Sequence, residues 1–134
     1  MEIQRESQQI FKPYCWLNGD TNPTNWGIRK DGTIVLFDWE RISCGSPAID
    51  LAISMPGLGT ADNSLESLIS KRYVAMGSKL SNDFPFTEQK LFHQIKIAKV
   101  WSVVEYLGEN GTSLGNEVLN NLLDQLIEKV RGLI

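Results

Sequence analysis

The chain has 134 residues, 42% apolar and 22% charged, a size and balance that suit one domain with one core and exclude a disordered or fibrous chain. Thirteen Lys and Arg against 16 Asp and Glu give a net charge of −3, and no basic run is present, which excludes a conventional nucleic-acid surface. The opening Met1-Glu2-Ile3-Gln4-Arg5-Glu6 has no apolar centre of a signal peptide, and no run of about 18 apolar residues offers a membrane span, so the expected location is cytoplasmic.

In chain order, residues 1–11 are polar apart from Ile3, Ile10 and Phe11 and read as the end of a helix, stopped by Pro13. Tyr14-Cys15-Trp16-Leu17 reads as a strand. Gly19 to Pro23 is rich in turn formers and reads as a loop. Trp26–Arg29 and Thr33–Phe37 flank Lys30-Asp31-Gly32, and Asp-Gly between β-forming runs predicts a hairpin. The pattern then becomes helical. Ser46-Pro47 opens a helix with Ile49, Leu51, Ala52 and Ile53 that ends before Pro56. Asn63 starts a second, with Leu65, Leu68, Ile69, Tyr73 and Met76 at helical spacing. Thr87 caps a third, whose stripe is Leu91, Ile95, Ala98, Trp101 and Val104. Gly108 to Gly115 reads as a break before a last amphipathic helix with Leu119, Leu122, Leu123, Leu126, Ile127 and Val130. The expected fold is α+β, mainly α: three short strands, then about four helices, in a single domain spanning 1–134.

Three polar residues stand out. Asp20 and Asn25 form Asp-x-x-x-x-Asn, and the hairpin brings Asp38 back toward Asn25. A carboxylate on a stiff loop can accept a hydroxyl proton, and an amide oxygen with a carboxylate can hold magnesium, which takes few protein ligands and completes its shell with water and phosphates. Phosphoryl transfer of the kinase type needs that set. The spacing alone is weak, because Asp and Asn beside Gly and Pro are also ordinary turn residues.

Their surroundings make the pattern specific. Asn18-Gly19-Asp20 with Pro23 and Asn25, then Phe37-Asp38-Trp39-Glu40, then Gly45-Ser46-Pro47-Ala48-Ile49-Asp50-Leu51-Ala52 follow one another in order. The stretch from Trp16 to Leu58 resembles the catalytic segment of the aminoglycoside phosphotransferase and choline kinase-like family, related in fold to protein kinases. Its pattern is His-Gly-Asp-x-x-Pro-x-Asn, a hairpin, hydrophobic-Asp-Trp-Glu, and Gly-x-Pro-x-x-Asp-Leu-Ala. The resemblance implies a C-terminal kinase-like lobe with a catalytic segment at 14–58 and a helical subdomain at 62–134. It implies Asp20 as catalytic base, Asn25 and Asp38 as ligands of Mg2+, and Phe37 under the adenine of ATP. It also implies that Asp50 is a buried acid holding the catalytic loop, with a small-molecule hydroxyl compound as acceptor. Plainer readings stand beside these: Asp50 as a helix cap or solvent-facing group, and Phe37 as strand core.

The sequence departs from the pattern in two places. Asn18 stands where the family has a scaffolding His; an amide can still donate and accept hydrogen bonds, and Asn18 is equally readable as a turn residue. Only 19 residues precede Asp20, too few for the ATP-binding N-terminal lobe with its lysine. Gly57-Leu58-Gly59-Thr60-Ala61-Asp62 is no substitute for a phosphate loop, since it lacks the third glycine and follows a helix. The chain therefore reads as a partial lobe, inactive alone, whose site-flanking face with Trp16, Trp26 and Trp39 should be exposed to a missing lobe or to self-association. The alternative function is a non-catalytic kinase-like interaction module.

The remaining chemistry-bearing residues read blandly. Cys15 and Cys44 are too few for a disulfide framework and read as packed reduced thiols. His93, the single histidine, reads as a helix-surface side chain. Trp101 and Tyr106 read as core, and Glu105 and Glu109, which could attract a cationic substrate, read as a solvated face.

Overall fold

The computed structural model describes residues 2–56 and 63–133. Its fold is α+β and mainly helical. A short helix, α1 (Glu2–Ser7), precedes β1 (Cys15–Leu17). A 3-10 turn at Pro23–Asn25 leads into β2 (Trp26–Ile28), then β3 (Ile34–Leu36) and β4 (Ser43–Gly45). The helices α2 (Ala48–Ser54), α3 (Asn63–Leu80), α4 (Glu88–Asn110) and α5 (Asn116–Arg131) follow. The segment Gly57–Asp62 lies outside the described residues.

The strands form two antiparallel pairs rather than one sheet. In β2–β3, Trp26 faces Leu36 and Ile28 faces Ile34. The turn closes through Gly32 N–H to Arg29 C=O (2.9 Å) and Arg29 N–H to Thr33 C=O (2.9 Å), with Gly32 in the left-handed region at φ 83°, the arrangement of a three-residue hairpin loop. In β1–β4, Cys15 faces Gly45 and Leu17 faces Ser43. The fourth strand corrects the three expected from sequence. Ser43-Cys44-Gly45 carries no β-branched or aromatic signal, and it is a strand because β1 offers it a ladder.

Helix α4 is the axis of the helical part, packed by α2, α3, α5 and α1. Because neighbours cover it on several sides, its buried positions run almost continuously through Gln94, Ile95, Ile97, Ala98, Lys99 and Val100 rather than along one stripe. Leu91, Ile95 and Ala98 of the expected stripe join Ile10, Ala48, Ala52, Met55 and Phe86 in the core, whereas Trp101 and Val104 are partly exposed. Thr87 caps α4, its hydroxyl accepting from Lys90 N–H at 3.2 Å. The helix runs through Gly108 to Asn110, so the break comes later than expected. A single interior glycine costs about 1 kcal/mol, which a helix anchored by this much burial tolerates.

Helix α3 turns a different face inward than its apolar spacing predicts. Leu65, Ile69 and Tyr73 pack on the core, but Leu68 and Met76 are exposed and Glu66 and Ser70 are buried. Glu66 Oε1 lies 2.9 Å from Lys99 Nζ, with both side chains fully buried, and 3.8 Å from Lys129 Nζ. One carboxylate thus joins α3, α4 and α5. Burial pushes the Lys129 ammonium below its usual range, helped by the nearby Lys99 and Lys96 and opposed by Glu66. Helix α5 is amphipathic, yet it buries no residue, and Val118, Leu123 and Ile127 remain exposed.

Candidate functional site

The loop after β1 is built on polar side chains that bind backbone. Leu17 and Asn18 are buried. Asp50, in the first turn of α2, accepts from Asn18 N–H through Oδ2 (2.8 Å) and from Gly19 N–H through Oδ1 (2.9 Å). Thr21, also buried, donates its hydroxyl to the Asp50 carbonyl. Two amides on one carboxylate and a hydroxyl on the carbonyl of the same residue fix the loop against α2, since bonds to a charged acceptor are the stronger kind. Asp50 is half-buried rather than buried, and both its carboxylate oxygens bond the loop, which a plain cap or solvent-facing group would not do.

Asn18 uses both ends of its amide. Nδ2 donates to the carbonyls of Asp38 (2.8 Å) and Phe37 (3.4 Å), and Oδ1 accepts from Asp20 N–H (2.9 Å). It therefore links the Asp20 loop to the end of the hairpin. Gly19 sits at φ 82°, and a Cβ there would come within 2.5 Å of the Arg41 carbonyl, so glycine is required by conformation and by space.

Past Asp20 the chain turns through the 3-10 segment, with Pro23 in its first turn and Asn22 Oδ1 accepting from Thr24 N–H at 3.1 Å. Trp26 Nε1–H ties the turn back to the Thr21 carbonyl at 2.9 Å. Asn25 then meets Asp20 directly: its Nδ2 donates to the Asp20 carbonyl (2.8 Å) and to Oδ2 (3.0 Å). With the nitrogen so engaged, Oδ1 is the atom left to face a cation. Phe37 N–H donates to the Asn25 carbonyl at 2.8 Å, which puts Asp38 one residue beyond the pair that closes the hairpin.

Asp38 is the one non-glycine residue with positive φ (54°) among those described. Such a conformation costs on the order of 1–3 kcal/mol and is kept where surroundings over-determine it, commonly at functional sites. Here the Asn18 amide grips its carbonyl while its exposed carboxylate accepts only a long bond (3.4 Å) from Glu40 N–H. The structure thus brings Asp20, Asn25 and Asp38 to one end of the hairpin. Among the described residues, no group of three or more His, Cys, Asp and Glu is placed to hold a metal ion. One carboxylate with one amide oxygen is nonetheless the donor set that Mg2+ takes from protein when phosphates supply the rest.

Asp20 opens onto a cleft of about 650 Å³. Ala52 of α2 and Met55 just after it contribute apolar lining, and Ser102 and Tyr106 of α4 line the cleft too. Arg41 bridges the mouth, with its two terminal nitrogens 3.1 Å from Glu105 and 3.4 Å from Glu109. Tyr106, Glu105 and Glu109 line the cleft, which corrects the expectation of core packing for Tyr106, while Glu105 and Glu109 are exposed as a solvated face would be. Nothing in the sequence pointed to the Arg41 bridge, nor to Thr21 and the Trp26 indole as supports.

Phe37 is not strand core. It is 54% exposed, and its ring covers Gly27 so closely that a Cβ there would approach it to 2.7 Å. Trp16, Trp26 and Trp39 are also exposed, Trp16 by 73%, so the site is flanked by open aromatic surface. Trp101 lies half-open on Phe11 and donates Nε1–H to Ser7 at 2.8 Å. His93 is a surface residue, 3.6 Å from Glu6. Cys15 is half-buried, its thiol pushed up by burial and by Asp50 and Cys44, whereas Cys44 is exposed rather than packed. No helix of the described residues is long and apolar enough to cross a membrane.

Comparison with protein-family models, with curated proteins and with solved structures finds no match to this chain.

Proposed function

We propose that the chain is the C-terminal, kinase-like lobe of an ATP-dependent phosphotransferase acting on the hydroxyl group of a small molecule. The observation that carries the reading is the double anchoring of the loop: Asp50 holds the Asn18 and Gly19 amides, and Asn18 holds the Asp38 carbonyl. That network holds Asp20, Asn25 and Asp38 near one end of the hairpin, with Asp20 alone of the three lining the cleft, and it leaves Asn25 Oδ1 and the Asp38 carboxylate outside its own bonds. The Asn18 amide does by hydrogen bonding what a scaffolding imidazole does in the family the sequence resembles.

In this reading Asp20 receives the acceptor hydroxyl and takes its proton on a carboxylate oxygen. Asn25 Nδ2 orients that carboxylate, which leaves Asn25 Oδ1 and the Asp38 carboxylate to hold Mg2+. The bound magnesium nucleotide supplies the phosphoryl group and the neutralisation of its charge. Phe37, exposed beside Asp38, offers a flat apolar surface to the adenine. In this reading the part that covers the phosphates seats on the exposed aromatic surface of Trp16 and Trp39. The proposed setting is the cytoplasm, where ATP is abundant.

Calorimetric titration of ATP with Mg2+ into the wild-type chain and Asp38→Asn tests the metal assignment. Weak binding by the wild type, with a Kd on the order of millimolar, and at least about tenfold weaker binding by the variant are expected. Equal affinities would remove Asp38 from the site.

The exposed hairpin carries a second reading, a kinase-like interaction module without catalysis. Ile28 is 77% and Ile34 64% exposed on facing strands, more apolar area than a plain surface turn needs. A chain that captures a protein partner but leaves ATP untouched in the titration above would favour this second reading.

A further inference from the structure

Arg41 stands where a ligand of the cleft would meet charge. Its backbone is wedged against Gly19, beside Asp20, and its side chain crosses the mouth to α4. There Glu105 and Glu109 are one helical turn apart, close enough for like charges to repel, and the guanidinium serves each with a different nitrogen, at 3.1 and 3.4 Å. A planar fork suits such bridging better than an ammonium does. The bridge is also part of the chain, and a tethered partner acts at an effective concentration of about millimolar or more, so a free amine must displace it before reaching the two carboxylates.

We propose that Arg41 is a specificity-determining residue of the cleft: it fills the cation position on Glu105 and Glu109, so the cleft takes an uncharged, hydroxyl-bearing acceptor in preference to an amine. An anionic acceptor is disfavoured by the same count, since Asp20, Glu105 and Glu109 face a single arginine. Hydroxyl groups of a neutral ligand find partners in Ser102, Tyr106 and Asn22, all on the cleft wall. Naming that ligand as the acceptor rests on the phosphotransferase reading; selection against amines does not, and is measured without phosphoryl transfer.

The test is calorimetric titration of spermidine, at low salt, into the wild-type chain, Arg41→Ala, Arg41→Gln and the triple variant Arg41→Ala/Glu105→Gln/Glu109→Gln, each first checked for native helical content. Arg41, Glu105 and Glu109 are about half exposed, so their replacement leaves the fold intact. Both single variants are expected to bind spermidine about threefold to fivefold more tightly than the wild type, and the triple variant to lose that gain. Equal binding by the wild type and the single variants overturns the proposal, as does a gain that survives in the triple variant. These outcomes are independent of ATP binding, so failure here and failure of the phosphotransferase reading are told apart.

Discussion

The loop that carries Asp20 and the helical bundle behind it are held by different kinds of contact. From β1 through β2, Leu17 at the end of β1 is the one buried apolar side chain, and the loop's shape depends on Asn18, Thr21, Asn25 and Asp50 reaching backbone or one another. In the bundle, apolar side chains of α2, α3 and α4 interlock, and Glu66 is buried against Lys99 with Lys129 of α5 at its edge. A polar network specifies geometry because each bond has a direction. An apolar core supplies most of the stability and tolerates sliding better. The two halves should therefore fail differently when cut.

The largest effect is expected in the bundle. Lys99→Ala leaves the Glu66 carboxylate buried without its close partner and should cost about 3–5 kcal/mol, read as a lower midpoint in urea denaturation. The paired change Glu66→Leu/Lys99→Met should recover most of that loss, since a well-packed apolar pair often equals a buried ion pair. If Lys99→Ala is nearly neutral, the ion pair is not the sealed contact described and the contrast between the halves weakens.

A smaller and more local effect is expected in the loop. Asp50→Asn replaces one acceptor oxygen by a donor facing an N–H, and should cost roughly 2 kcal/mol. The bundle's helical content should stay, while hydrogen exchange at the Asn18 and Gly19 amides speeds up. Loss of the whole fold instead would show that loop and bundle are one unit and that the comparison is drawn too sharply.

The same contrast explains what the sequence made legible. The loop is encoded by residue type at local spacing, which picks out Asp20, Asn25 and Asp38, whereas the supporting places of Asn18 and Asp50 are implied only by the family resemblance. Helices α2 and α4 announced their starts through Pro47 and Thr87, which are local signals too. What depends on register between distant elements did not show. Ser43–Gly45 becomes β4 only because β1 lies beside it. Glu66 looks like an ordinary first-turn acid, and its burial depends on where α4 places Lys99. Arg41 reads as a surface cation until α4 brings Glu105 and Glu109 across the cleft. Gly108 looked like a break because its cost is local, whereas the burial that carries α4 past it is not.

In the proposed function, Asn25 and Asp38 jointly face a nucleotide-bound divalent cation, with Asp20 beside them. Nuclear magnetic resonance with ATP and substoichiometric Mn2+ in place of Mg2+ tests it most directly, because the paramagnetic ion broadens the signals of residues near it. The account predicts that the amide signals of Asp38 and Asn25 broaden first and Asp20 next, with Glu105 and Glu109 left sharp. Broadening centred on Glu105 and Glu109, with Asp38 unaffected, would contradict it.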